Sequence, residues 1–175
     1  MEFTVKTHYN HRAFKAMFKA VRHPVRKEKI HKNHFASIIL SICCILLPFV
    51  PKEGGFRFDI VTMISFTFVF LLMFMLLFED DINSLMAKRY LHPAMENVTS
   101  VFTDDGYITI DEDKEKMNWE YDRNQTTVEV GDYIIFIINE DNVQIQDKRT
   151  LTGGTVDEFR TFIERKTRTE VIFVK

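Results

Sequence analysis

The chain has 175 residues, 23 Lys and Arg against 25 Asp and Glu, and a mean hydropathy of −0.11, averages that would suit an ordinary soluble domain. Counted in blocks they separate: Met1 to His34 holds nine basic residues against two acids (net +7), Phe35 to Phe78 two against two, and Glu79 to Lys175 twelve against twenty-one (net −9). The acidic last block would be repelled by nucleic-acid phosphates, and the two cysteines, adjacent at Cys43 and Cys44, make no disulfide framework because strain opposes a vicinal bridge.

At the N-terminus, Phe3 and Val5 alternate with Glu2, Thr4 and Lys6, the period of a half-buried strand. Asn10 as N-cap predicts a helix to about Arg22, with Phe14, Met17, Phe18 and Val21 on one face and Arg12, Lys15, Lys19 and Arg22 elsewhere. A basic amphipathic helix of this kind suits either an anionic membrane surface or the flank of the chain's own folded domain. The pairs His8/His11 and His31/His34 have helical i, i+3 spacing, but no cysteine or carboxylate stands at matching spacing, so no metal site is predicted. The histidines instead mix with Lys and Arg in a run suited to lipid phosphates, and the predicted anionic-lipid contacts are Lys15, Lys19, Arg22, Arg26, Lys27, Lys29 and Lys32. The first 34 residues thus read as a basic strand and amphipathic helix, too polar to be a cleavable signal peptide.

Phe35 to Val50 is an apolar run of sixteen residues, and Ile60 to Phe78 is a second run with no charge at all. At 1.5 Å per residue the second covers about 28 Å, close to the hydrocarbon thickness of a bilayer. Pro51, Gly54 and Gly55 break the chain between them, which predicts a transmembrane helical hairpin (35–50 and 60–78). Ser37, Ser41 and Cys44 recur at i, i+4, i+7, a narrow stripe for close helix approach. Seven Lys and Arg lie between Lys15 and Lys32 and only Lys52 and Arg57 in the loop, so both termini are expected on the cytoplasmic side of the cell membrane.

Beyond the second span, Ile82, Leu85, Met86 and Leu91 extend a helical stripe until Pro93, giving a helical extension and linker over residues 79–95. From residue 96 short alternating runs predict an antiparallel meander: VTSVF, YITI, MNWEY, TTVEV, YIIFII and NVQIQ. Asp105-Gly106 marks a tight hairpin, and Tyr133 to Ile138, apolar throughout, requires cover on both faces. Thr155 to Glu158 spells a capping box opening a helix to about Arg168, after which EVIFVK either adds an edge strand or frays.

Several landmarks coincide with a known pattern: Phe102 to Thr109, then Trp119, then Gln144 to Arg149, then Glu158-Phe159-Arg160 with Phe162-Ile163. Placed behind a helical hairpin, this order resembles the bacterial YcxB-like family. The resemblance implies a two-span membrane protein with a PH-like C-terminal domain over 96–175, that is, an antiparallel meander or partly open barrel capped by a helix. Asp147 and Asp122 depart from the pattern, where a proline and an aliphatic residue are usual.

Catalytic residues and cofactors are not predicted. The acidic run Asp111, Glu112, Asp113 and Glu115 falls in a turn, no histidine follows His92, and neither a phosphate-binding glycine loop nor a nucleophile elbow is present. The reading is a non-catalytic membrane protein presenting a PH-like interaction domain to the cytoplasm, its partners the bilayer and an unidentified protein. The alternative is an immunity or regulatory protein that acts on a toxin or transporter through the hairpin.

Overall fold

The computed structural model describes residues 2–22, 27–46, 59–139 and 142–174, with the side chains of 27–31 undescribed. It is an α+β chain whose described residues form five α-helices and two four-stranded sheets. They divide into two compact units, one made of Met1–Val25 with Asn83–Lys175 and the other of Arg26–Ile82.

In the first unit, strand β1 (Phe3–His8) and helix α1 (His11–Arg22) open the chain. Asn10 caps α1 as its spacing predicts, its Oδ1 accepting from the Ala13 amide at 3.0 Å. After the second unit come β2 (Asn97–Phe102), β3 (Tyr107–Ile110) and β4 (Lys116–Trp119). With β1 they form an antiparallel sheet in the order β1-β2-β3-β4, in which Phe3 stands opposite Phe102 and His8 opposite Asn97. The β2–β3 turn is closed by the Thr103 amide donating to the Gly106 carbonyl, and Gly106 is required there because a Cβ would lie 2.7 Å from the Trp119 carbonyl oxygen.

The meander expected from residue 96 onward is not one continuous sheet. The predicted strand MNWEY ends at Trp119, because Tyr121 turns inward in a 3-10 turn (Tyr121–Arg123) and donates its hydroxyl to the Thr103 carbonyl at 2.8 Å. A second sheet then begins, with β5 (Thr126–Val130), β6 (Tyr133–Ile137), β7 (Val143–Asp147) and, after helix α5 (Val156–Thr167), β8 (Val171–Val174). Its order is β7-β6-β5-β8, and β8 pairs parallel to β5, so the C-terminal tail takes the edge-strand course. The capping box of α5 forms as read, Thr155 Oγ1 accepting from the Glu158 amide and the Glu158 carboxylate accepting from the Thr155 amide at 2.7 Å.

β6 is covered on both faces. Tyr133, Ile135 and Ile137 join Val128, Val130 and Ile145 against Ala13, Phe14, Ala20 and Val21 of α1. Ile134 and Phe136 face a second cluster built from Phe3, Phe102, Tyr107 and the α5 residues Phe159, Phe162 and Ile163. Of the two roles open to the apolar face of α1, the fold uses the intramolecular one: Phe14 is 6% exposed and Val21 4%. The basic segment of residues 1–34 is therefore not a module of its own, and the α+β unit does not begin at residue 96. β1 supplies an edge to the first sheet and α1 a lid to the second, and without them two apolar surfaces would face water.

In the second unit, helix α2 (Lys27–Leu46) starts well before the predicted Phe35, so the basic run from Lys27 continues into the apolar run as one helix. Residues 47–50 and the predicted loop lie outside the described residues. Helix α3 (Ile60–Leu77) is capped by Asp59, whose Oδ1 accepts from the Thr62 amide at 3.0 Å. Its mean hydropathy is 2.6, and among the described residues it alone is long and apolar enough to cross a membrane; the apolar part of α2, Lys32–Leu46, is shorter. The predicted extension is occupied by α4 (Glu79–Tyr90), which begins in this unit and ends in the first, and by a 3-10 turn at Pro93–Met95, which belongs to the first.

α2 and α3 pack along a heptad seam. The covered positions are His34, Ser37, Ser41 and Cys44 on α2 and Thr62, Ser65, Val69, Leu72 and Leu76 on α3, both series stepping by three and four. His34 Nε2, in the first half of α2, lies 3.5 Å from Glu79 Oε2, just beyond the end of α3, as an antiparallel pair requires. Small hydroxyl side chains at the seam let the backbones come close, and Ser41 is satisfied by donating to the Ser37 carbonyl at 2.8 Å.

Candidate functional site

Where the first sheet passes under α1, the inner side chains do not fill the space between them. Val98, Thr109, Met117 and Trp119 from the first sheet, Phe14 and Met17 from α1, and Leu91 and Met95 from the segment before β2 line an open-sided cavity of about 290 Å³. Tyr9 and the start of β7 complete it. Strand periodicity places these groups: Val98 alternates with the outward Asn97 and Thr99, and Thr109 with Ile108 and Ile110, so each sheet residue of the lining belongs to the inner face. Two of the walls are held in place by hydrogen bonds. Trp119 is held against Thr109, its Nε1 donating to Thr109 Oγ1 at 2.9 Å, and Tyr9 is held by the Ile145 amide, which donates to its hydroxyl at 3.4 Å. Burial pushes the Tyr9 hydroxyl above its ordinary pKa, a shift the Ile145 amide partly opposes.

The lining is mostly apolar; its polar side chains are Tyr9 and Thr109, whose hydroxyls are bonded as above, Asn142 and Gln144. β7 reads Val143-Gln-Ile-Gln-Asp147, and its alternation sends Val143 and Ile145 toward α1 and Gln144 and Gln146 toward the interior between the sheets. Gln144 is 8% exposed, lines the cavity, and its Oε1 meets no donor among the described residues. A buried amide oxygen left without a donor costs roughly 1–3 kcal/mol, and of the four described residues with such an orphaned atom, Ser100, Asn124, Gln144 and Gln146, Gln144 is the one that lines the cavity.

The predicted lipid-contact residues fall in both units. Lys15, Lys19 and Arg22 recur at i, i+4, i+7 on the outer side of α1, with Lys15 exposed and the other two half-buried. Lys32 is exposed on α2; Arg26 and the side chains of Lys27 and Lys29 lie outside the described residues. Cations in the last turn of α1, Lys19 and Arg22, also complement the helix dipole.

A buried charge cluster lies apart from these features. The Glu129 side chain on β5, 8% exposed, accepts from Lys148 Nζ at 2.5 Å and from Arg160 Nε at 3.0 Å. Burial alone would lower the Arg160 pKa, but its bonds to Glu129 and Asp157 outweigh that and raise it. Every charge there has a partner, so the cluster ties α5 to the second sheet. At the departure Asp147, the carboxylate caps the turn after β7 by accepting from the Arg149 amide at 3.1 Å. Burial works against that carboxylate, but the bonds to Arg149 hold it below the usual carboxylate range.

Neither the cavity nor Gln144 was identified from the sequence. The available signal was a strand with polar residues on the face that its neighbours mark as interior, which becomes readable only once β7 is known to be covered on both sides. Compared with family models, with curated proteins and with solved structures, the chain matches none.

Proposed function

We propose that this chain is a non-catalytic membrane protein of YcxB-like type, in which α2 and α3 cross the cell membrane as a hairpin and the α+β unit is a PH-like interaction domain at the cytoplasmic face. The observation that carries this reading is the exposure of α3. Only Thr62 and Ser65 of that helix are buried, whereas Ile60, Ile64, Phe70, Met75 and Leu77 are each more than 60% exposed. The core helix of a soluble protein hides such a surface, and acyl chains are the environment in which it is stable without protein cover. α2 supports a second span, because Phe35, Ile38, Ile42 and Leu46 are likewise exposed around a seam that meets α3.

The PH-like reading is supported by the order of parts: a four-stranded antiparallel sheet, a second sheet opened by three antiparallel strands, then a helix packed between them. The insertion of α1 to α4 between the first and second strands is what sets this chain apart from a linear arrangement. With the apolar side of α1 committed to the second sheet, contact of Lys15, Lys19 and Arg22 with anionic lipid is electrostatic only, worth on the order of 1 kcal/mol per cation near the leaflet. The lipid-contact set Lys15, Lys19, Arg22, Arg26, Lys27, Lys29 and Lys32 belongs to this proposal.

The test is extraction followed by capture. The full chain should stay with membranes through an alkaline carbonate wash and leave only with detergent, and a partner captured with it should be lost when α2 and α3 are expressed without the α+β unit. Release by carbonate would remove the spans; a partner retained by the hairpin alone would move the interaction into the bilayer.

A further inference from the structure

We propose that the cavity between the first sheet and α1 is a binding site for a compact apolar molecule carrying one hydrogen-bond donor, which Gln144 receives. The inference goes beyond the membrane reading, since every lining residue belongs to the α+β unit.

Size, lining and the amide define the ligand. A cavity of about 290 Å³ is roughly twice the 150 Å³ void that holds benzene, so the occupant has about ten to twelve non-hydrogen atoms. Its walls are almost wholly carbon and sulfur: Met17, Met95 and Met117 contribute flexible thioethers that adjust to an irregular shape, and Phe14 and Trp119 contribute rigid faces. Among the described residues no charged side chain lines it, so nothing there compensates the desolvation of an ionised carboxylate, phosphate or amine. What the site does hold is the Gln144 amide, more than nine-tenths buried, with Oε1 facing no donor among the described residues. A hydroxyl or N–H on the ligand supplies that donor. Few well-placed polar groups in an apolar pocket are what orient a small ligand, and here the Gln144 acceptor distinguishes an alcohol from its methyl ether.

The probe pair is 4-tert-butylcyclohexanol and its O-methyl ether, which match the size, absorb no ultraviolet light and differ in the donor. The full chain, reconstituted in neutral phosphatidylcholine vesicles, reports binding through Trp119, the sole tryptophan and a wall of the cavity. The alcohol should shift Trp119 emission saturably and bind about five- to tenfold more tightly than the ether, the ratio set by one hydrogen bond to a buried acceptor. In Gln144→Met, which keeps the length and removes the acceptor, that ratio should fall to about one. Val143→Trp, which adds bulk at a lining position on β7, should abolish the saturable response to both. Equal affinities for alcohol and ether in the unaltered chain, or no saturable response to either, would overturn the proposal, and this comparison stands even where a variant fails to fold.

Discussion

Replacing Phe14 with alanine should destabilise the α+β unit severely while leaving the hairpin intact. The ring is 6% exposed, lies edge-on to Tyr9 at a centroid distance of 5.8 Å, and is packed against β5, β6 and β7. Its α1 neighbours Ala13, Ala16 and Ala20 are already small and cannot move into the space, so the full Phe→Ala cost of about 3–5 kcal/mol applies. For a unit of this size, at roughly 4 °C per kcal/mol, the unfolding midpoint should drop by about 12–20 °C. Trp119 is the only tryptophan and belongs to the same unit, so its emission during heating in detergent reads that unit alone. Arg12→Ala, on the exposed side of α1, is the control and should stay within about 0.5 kcal/mol of the unaltered chain. A midpoint within 2 °C (roughly 0.5 kcal/mol) for Phe14→Ala would mean that α1 is not part of this core, and would return its apolar face to the membrane surface.

Three further perturbations probe separate parts of the same unit. Glu129→Ala leaves Lys148 and Arg160, each about one-fifth exposed, without their shared carboxylate, and should cost about 2–4 kcal/mol in a urea titration; an unchanged midpoint would show the cluster contributes nothing. Gly153 has φ +96°, and a Cβ there would stand 2.2 Å from the Glu2 carbonyl oxygen, so Gly153→Ala should cost at least about 2 kcal/mol and speed amide exchange at the adjacent Thr4–Thr152 bridge; normal protection at that bridge would contradict the close approach. Asp104 is held by Lys166 at a pKa of about 2, below its ordinary 3.8, so the stabilisation exists above about pH 4 and fades as pH falls toward 2. Asp104→Asn should therefore lower the thermal midpoint at pH 6, with the gap closing between about pH 4 and 2; a gap that is constant across that range would refute the linkage.

The strands and α5 were legible because their signals are local. Period-2 alternation marks β2, β3, β5 and β7, a continuous apolar run marks β6, and Thr155 to Glu158 writes both halves of a capping box within four residues. What was not legible depends on partners far apart in sequence. β1 pairs with β2 across 89 residues at His8 and Asn97, and nothing in Phe3–His8 itself says whether it edges a sheet or lies free. The α1 helix showed an apolar face but not what covers it, and the answer came from β5 to β7 more than a hundred positions away. Tyr121 looked like a strand residue because aromatic residues favour strands; a hydroxyl bonded to Thr103 took it into a turn. The cavity was hidden for the same reason: Gln144 and Gln146 resemble the solvent face of an edge strand until the first sheet is placed over them.

The membrane hairpin with both termini on the cytoplasmic side is tested most directly by cysteine accessibility. In a background lacking Cys43 and Cys44, single cysteines at Glu2, Gly54 and Lys175 are exposed to an impermeant thiol reagent in intact cells. The account predicts labelling at Gly54 alone, with Glu2 and Lys175 reacting only after the membrane is opened. Labelling of either terminus in intact cells, or protection of Gly54, would contradict it.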